Sequence, residues 1–189
     1  MALLRIVTYG DERLQTHCEA VEALTPEVRQ LIADMGETMY AANGVGLAAP
    51  QVGVLIRLLV LDVDQVGDEN RKKRNGTRRL QAFLNPEILW MSEEDRPYTE
   101  GCLSIPGVEA EVFRSSCLRL RWRDEQWVER EAETDELLAR VLQHEIDHLE
   151  GVLFVDRLPV AKRQALAGQL NRLRLERENI VVPAELQAK

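Results

Sequence analysis

Apolar residues recur along this chain with two different periods, and each change of period marks an element. After Thr25-Pro26-Glu27, the residues Val28, Leu31, Ile32, Met35 and Met39 return every three or four positions. That is the spacing of one buried helix face. Thr25 suits an N-cap, Pro26 the first turn and Asn43-Gly44 the exit, which predicts a helix to about residue 42. A second helix is predicted from Thr134-Asp135-Glu136 to about residue 150, with Gly151 after its end. Two adjacent stripes run along it: Leu137, Val141, His144 and His148, then Leu138, Leu142, Glu145 and Leu149. A third helix, about 160–178, follows Pro159 and carries Leu166, Leu170 and Leu173 opposite its Arg and Lys residues.

Between the first two helices the period shortens to that of strands. Residues 55–63, 82–86, 88–91, 108–113, 117–122 and 127–132 are the strand candidates, with a hairpin turn at Asp124-Glu125-Gln126. Residues 92–98 read as a polar turn, 6–9 as a short apolar piece, and 152–155 as a short strand or connector. The pattern predicts an α+β fold, with antiparallel sheets packed around the second helix and a further helix near each end.

At 189 residues the chain is expected to form one domain with a real core. Net charge is -8, with a sequence pI of about 5.1. That argues against a general nucleic-acid or membrane-surface binder and against sequence-specific nucleic-acid recognition. No apolar run is long enough to span a bilayer, and the first residues show no secretory or transit pattern. Three cysteines at irregular spacing, Cys18, Cys102 and Cys117, point to a reducing compartment. The expectation is a cytoplasmic protein. One stretch, residues 67–79, has no core residue and is strongly basic, the composition of a solvated loop.

The chemistry concentrates in Gln143-His144-Glu145-Ile146-Asp147-His148. Residues four apart on a helix share a face. His144 and His148 can therefore aim two imidazoles at one point, with Glu145 beside it. Two neutral imidazoles suit a divalent metal such as Zn or Fe, and a neighbouring carboxylate is placed to take a proton from a water activated there. The apolar flanks bury this face, where unpaired His and Glu would be costly. Elsewhere, Gly44-Val45-Gly46-Leu47-Ala48-Ala49-Pro50-Gln51 has almost no side-chain bulk, which fits a plain turn or the close approach of a ligand. Cys102, beside Gly101, reads equally as a packed thiol or a thiolate ligand.

Taken together, Gly44–Gln51, Glu100-Gly101-Cys102-Leu103-Ser104 and Gln143–His148 resemble the three signature motifs of peptide deformylases, in the family's order and near its spacing. The resemblance extends from Asp11-Glu12-Arg13-Leu14 to the helix after Pro159. It implies hydrolysis of the N-formyl group from nascent formyl-methionyl peptides. It also implies Cys102, His144 and His148 as metal ligands with one position left for water, and Glu145 as general base and acid. Gln51 and the Leu103 backbone N–H resemble the pair that binds the formyl oxygen, and Gly46 a contact to the substrate backbone. Val45, Leu137 and Val141 are candidates to line the methionine pocket. The family implies one divalent ion, Fe(II) as the expected native one, with Zn, Ni or Co accepted. It further implies ribosome docking through a basic C-terminal helix, here Lys162, Arg163, Arg172, Arg174 and Arg177.

Two departures from the family stand out. The basic stretch is longer than expected. Arg140 replaces an expected apolar residue one turn before His144, where it is expected to border the pocket and favour acidic or polar following residues in the substrate. Two rival readings remain. A zincin-type protease would take a downstream acid such as Glu176 or Glu178 as third ligand and leave Cys102 and Gln51 without a role. A degenerate homologue would bind nascent chains without turnover.

Overall fold

The structure is a computed structural model that describes residues 2–63 and 78–179, with side chains to residue 176. Most of the basic stretch, the apolar tail at 180–183 and the Arg177 side chain fall outside the described residues.

Helix α1 spans Pro26–Ala41, capped by the Thr25 side chain, which accepts from Val28 N–H. Strands β1 (Gly46–Ala48) and β2 (Leu58–Leu61) follow, then β3 (Gln81–Met91), β4 (Asp95–Cys102), β5 (Ile105–Ser115), β6 (Cys117–Arg123) and β7 (Glu129–Asp135). Helix α2 is Glu136–Leu149 and α3 is Val160–Asn179. The strands make an antiparallel five-stranded sheet in the order β1-β2-β3-β6-β7 and a separate β4-β5 hairpin. No helix among the described residues is long and apolar enough to cross a membrane.

Alternation along β2 shows how the layers form. Leu58 and Val60 face the cluster that holds Met35 and Met39 of α1. Leu59 and Leu61 face the cluster that holds Leu142 and Leu149 of α2. Successive side chains on a strand point to opposite faces, so one short strand serves both helices. A third cluster joins Ile105, Val108 and Val112 of β5 to Phe154 and to Leu170 of α3, whose Leu166 and Leu173 pack alongside.

Several sequence expectations change in detail. The expected turn at 92–98 becomes strand from Asp95, because β5 extends beyond 108–113 and pairs Asp95 with Ser115. Its largely exposed residues leave no hydrophobic period to read. The two strand candidates around Pro86 form one irregular strand. Asn85 bends it at φ 51°, while its side chain bonds both backbone groups of Val21 at 2.8 Å. The short apolar piece at 6–9 is tied down by two backbone bonds, Val7 N–H donating to Gln51 O and Tyr9 N–H to Ser104 O. Residues 154–157 are a single 3-10 turn. At the start of α2, Asp135 makes no side-chain cap; Glu136 N–H donates to Ser116 O on the neighbouring strand end. Gly151 does end the helix with a left-handed residue, φ 71°, pressed against the Gln15 carbonyl where a Cβ would come within 2.7 Å.

Candidate metal centre

Three elements deliver the site. Helix α2 packs its apolar face against the large sheet and so fixes the direction of His144, Glu145 and His148. The β4-β5 hairpin ends in an irregular register at Gly101/Cys102, and that turn carries Cys102 and Leu103 toward the helix. Strand β1 and the 3-10 turn at Ala49–Val52 bring Gly46 and Gln51.

Cys102, His144 and His148 converge. One ligand atom from each lies within 4.8 Å of the others, with Cys102 Sγ 3.3 Å from His148 Nε2. A tetrahedral ion with bonds of about 2.0–2.3 Å to nitrogen and sulfur spaces its donors about 3.5 Å apart, so the cluster has the dimensions for one divalent metal. The two imidazoles are 5.1 Å apart between centroids and nearly perpendicular. Phe154 stacks behind His144. Among the described residues, the group that could hold an ion therefore includes the cysteine and no downstream acid.

The electrostatics fit a cation. Burial lowers the His144 imidazole, but its bonds to Cys102 and Glu100 outweigh that and carry it up to about 10, so positive charge is favoured beside Glu100. Burial, with the His144 and Arg114 charges, pushes His148 well below its ordinary value and keeps it a neutral donor. Burial pushes the Glu145 carboxyl up to about 7. Glu145 Oε2 has no hydrogen-bond partner among the described residues, the state of a buried base awaiting a proton donor.

Glu145 is pressed against β1. A Cβ on Gly46 would overlap Glu145 Oε1, so Gly46 makes room for the carboxylate as well as bordering the pocket. Gln51 is held by its own carbonyl: Oε1 accepts from Ala48 N–H at 2.8 Å. Its amide NH2 therefore faces inward, 3.4 Å from Cys102 Sγ and 3.2 Å from Ser104 Oγ. Gln51, Gly46, Leu103, Val45, Leu137 and Val141 all line one cavity of about 540 Å3, together with Cys102, His144 and Glu145. His148 sits beneath it, 1% exposed.

Behind the donors lies a buried ion-pair network. Glu100 accepts from Arg114 Nε at 2.7 Å and Nη2 at 3.0 Å, from Arg140 Nη1 at 2.7 Å and from His144 Nδ1 at 2.9 Å. Burial alone would raise the Glu100 carboxyl; its bonds to His144 and Arg114 overcome this and hold it well below the usual carboxylate range. Asp147, inside the helical motif, takes Arg114 Nη1 at 2.7 Å and Arg157 at 2.5 Å. Asp147 and Ser104 stand within the recognised motifs, but their sequence positions gave no sign of these partners.

Arg140 stands where it was expected, at the pocket. It borders the pocket, but its guanidinium is spent inward, on Glu100, on Val112 O at 3.2 Å and on Arg96 O. Donors already engaged by buried acceptors are not directed at a substrate residue.

Comparison with known proteins gives a consistent result. The sequence pattern of the polypeptide deformylase family matches residues 3–164. The peptide deformylase of Rhizorhabdus wittichii is 47% identical over 178 residues, covering 94% of this chain and 99% of that protein. A plant peptide deformylase superposes with a TM-score of 0.84 at 32% identity, covering 95% of this chain and 94% of the other. A Legionella pneumophila peptide deformylase gives 0.80 at 36% identity, over 96% and 100%.

Proposed function

The chain belongs to the polypeptide deformylase family, a hydrolase that removes the N-formyl group from nascent peptides, and from that premise we propose how its own residues divide the reaction. The observation that carries the reading is the sulfur of Cys102, remote in sequence, standing against His148 Nε2 at 3.3 Å.

Cys102, His144 and His148 would hold the single divalent ion that the donor set fits. When bound, the ion supplies a Lewis acid that makes an attacking water acidic at neutral pH. Glu145 takes the water's proton and returns it to the departing amine. The Gln51 NH2, fixed by Ala48, and the Leu103 backbone N–H donate to the formyl oxygen as negative charge grows on it. Val45, Leu137 and Val141 line the pocket for the methionine side chain, and Gly46 lets the substrate backbone approach. Fe(II) is the native ion of this reading, with Zn, Ni or Co as working substitutes; residue types do not choose among them.

The setting of the reading is the cytoplasm and the ribosome, through the basic face of α3. Lys162 pairs with Glu111 at 3.1 Å and Arg163 with Asp156 at 2.8 Å, which leaves Arg172 and Arg174 as the more available cations.

Formate release from formyl-Met-Ala-Ser tests the activity, and metal content of Cys102→Ala tests the centre. The reading expects release by the wild type, with loss of both metal and turnover in the variant. A Cys102→Ala protein that keeps metal and activity would return the zincin reading.

A further inference from the structure

The cavity beside the metal cluster shares a wall with a second crevice of about 220 Å3. Tyr98, Leu137 and Arg140 line both spaces. Arg140 is the residue that spans between them. Its Nη1 reaches Glu100 Oε1 on the pocket side, and its Nη2 reaches the backbone oxygen of Arg96, which lines the outer crevice. The guanidinium lies 5.4 Å over the Tyr98 ring. The acceptors sit on both strands of the β4-β5 hairpin, and the residue is 8% exposed. Swinging it aside would strand a buried cation and loosen Glu100, so it behaves as a fixed wall.

We infer that Arg140, backed by Tyr98, is the partition that sets the depth of the pocket for the substrate's first side chain. It is a specificity-determining residue of this chain and not a reader of acidic substrate residues. The inference rests on the reading above, in which the larger cavity takes that side chain. A side chain that reaches the end of the pocket meets the guanidinium; without it, the same side chain runs on into the outer crevice between Tyr98 and Leu137.

The test compares kcat/KM for formyl-norleucyl-Ala-Ser and for its 2-aminooctanoyl homologue, two CH2 groups longer. Each CH2 that finds an apolar place is worth about fourfold. In Arg140→Ala the ratio of long to short substrate should rise about tenfold over wild type. Arg140→Lys, which keeps most of the length, should stay near the wild-type ratio. The ratio is internal to each variant, so partial loss of metal or of folded protein, which lowers both rates alike, does not move it. Tyr98 is half exposed, and Tyr98→Ala opens the same wall from its other side. It should shift the ratio in the same direction and decides the matter if Arg140→Ala does not fold. An unchanged ratio in the folded variants overturns the partition. A wild type that releases no formate from the short peptide overturns instead the functional reading beneath it.

Discussion

Glu100 Oε2 lies 2.9 Å from His144 Nδ1, and this one bond leaves only Nε2 of that ring to face the metal cluster. A ligand histidine whose other nitrogen is tied to a carboxylate has its tautomer and its direction fixed. The same carboxylate is gripped by Arg114 and Arg140, so the aim of His144 depends on residues of the hairpin as well as of its own helix.

Replacing Glu100 with Gln should therefore weaken metal binding by about 10–100-fold. It should also destabilise the fold by up to about 3–5 kcal/mol, because Arg114 loses one of its two buried counter-charges and Arg140 loses its carboxylate partner. Competition with a chelator and urea unfolding measure the two. Unchanged metal affinity would show that the bond does not orient the ligand.

On the proposed division of roles, Gln51→Ala removes the donor for the formyl oxygen but no metal ligand. Loss of one such donor lowers kcat by about 10²–10³-fold. Steady-state kinetics at full metal occupancy should show that fall in kcat. A change confined to KM would assign Gln51 to substrate binding instead.

Gly46→Ala puts a methyl group into the space that Glu145 Oε1 now occupies. The carboxylate must shift, so kcat should drop by at least about tenfold, since a misplacement of about 1 Å can cost about 10²-fold. Metal content should stay intact. A fully active Gly46→Ala enzyme would mean that Glu145 can do its work from another position.

Cys18 offers a pH test remote from the catalytic cavity. Burial pushes its thiol up to about 11 from an ordinary 9.0. The unfolded chain gives up this proton first. The contribution is therefore fully present below about pH 9 and is lost as pH rises toward about 11, a fall of at most about 2–3 kcal/mol. Urea midpoints from pH 8 to 11 should fall less steeply for Cys18→Ala than for wild type. Parallel curves would rule out the thiol as the source.

Much of the fold was legible because its signals are local. The cap at Thr25, the period of α1, the exit at Gly151 and the strand expected at 117–122, found one residue longer, each depend on residues a few positions apart. The strand from Asp95 was not legible, since its exposed residues carry no hydrophobic period and only its pairing with β5 makes it a strand. The orientation of Arg140 was not legible either. A sequence shows a cation near a pocket, but not the carboxylate and carbonyls that already hold it.

The sequence by itself determined the helix that aims His144 and His148 from one face, because a spacing of four is a property of the helix alone. The small-residue composition of 44–51 and the resemblance of three separated motifs to one family are likewise properties of residue order. Only the tertiary structure decided that the irregular end of β4 brings Cys102 onto that face, that Ala48 points the Gln51 amide inward, and that Glu100 gathers Arg114, Arg140 and His144. Those relations join residues far apart in the chain. They are set by how a hairpin, a sheet and a helix pack, which no local pattern encodes.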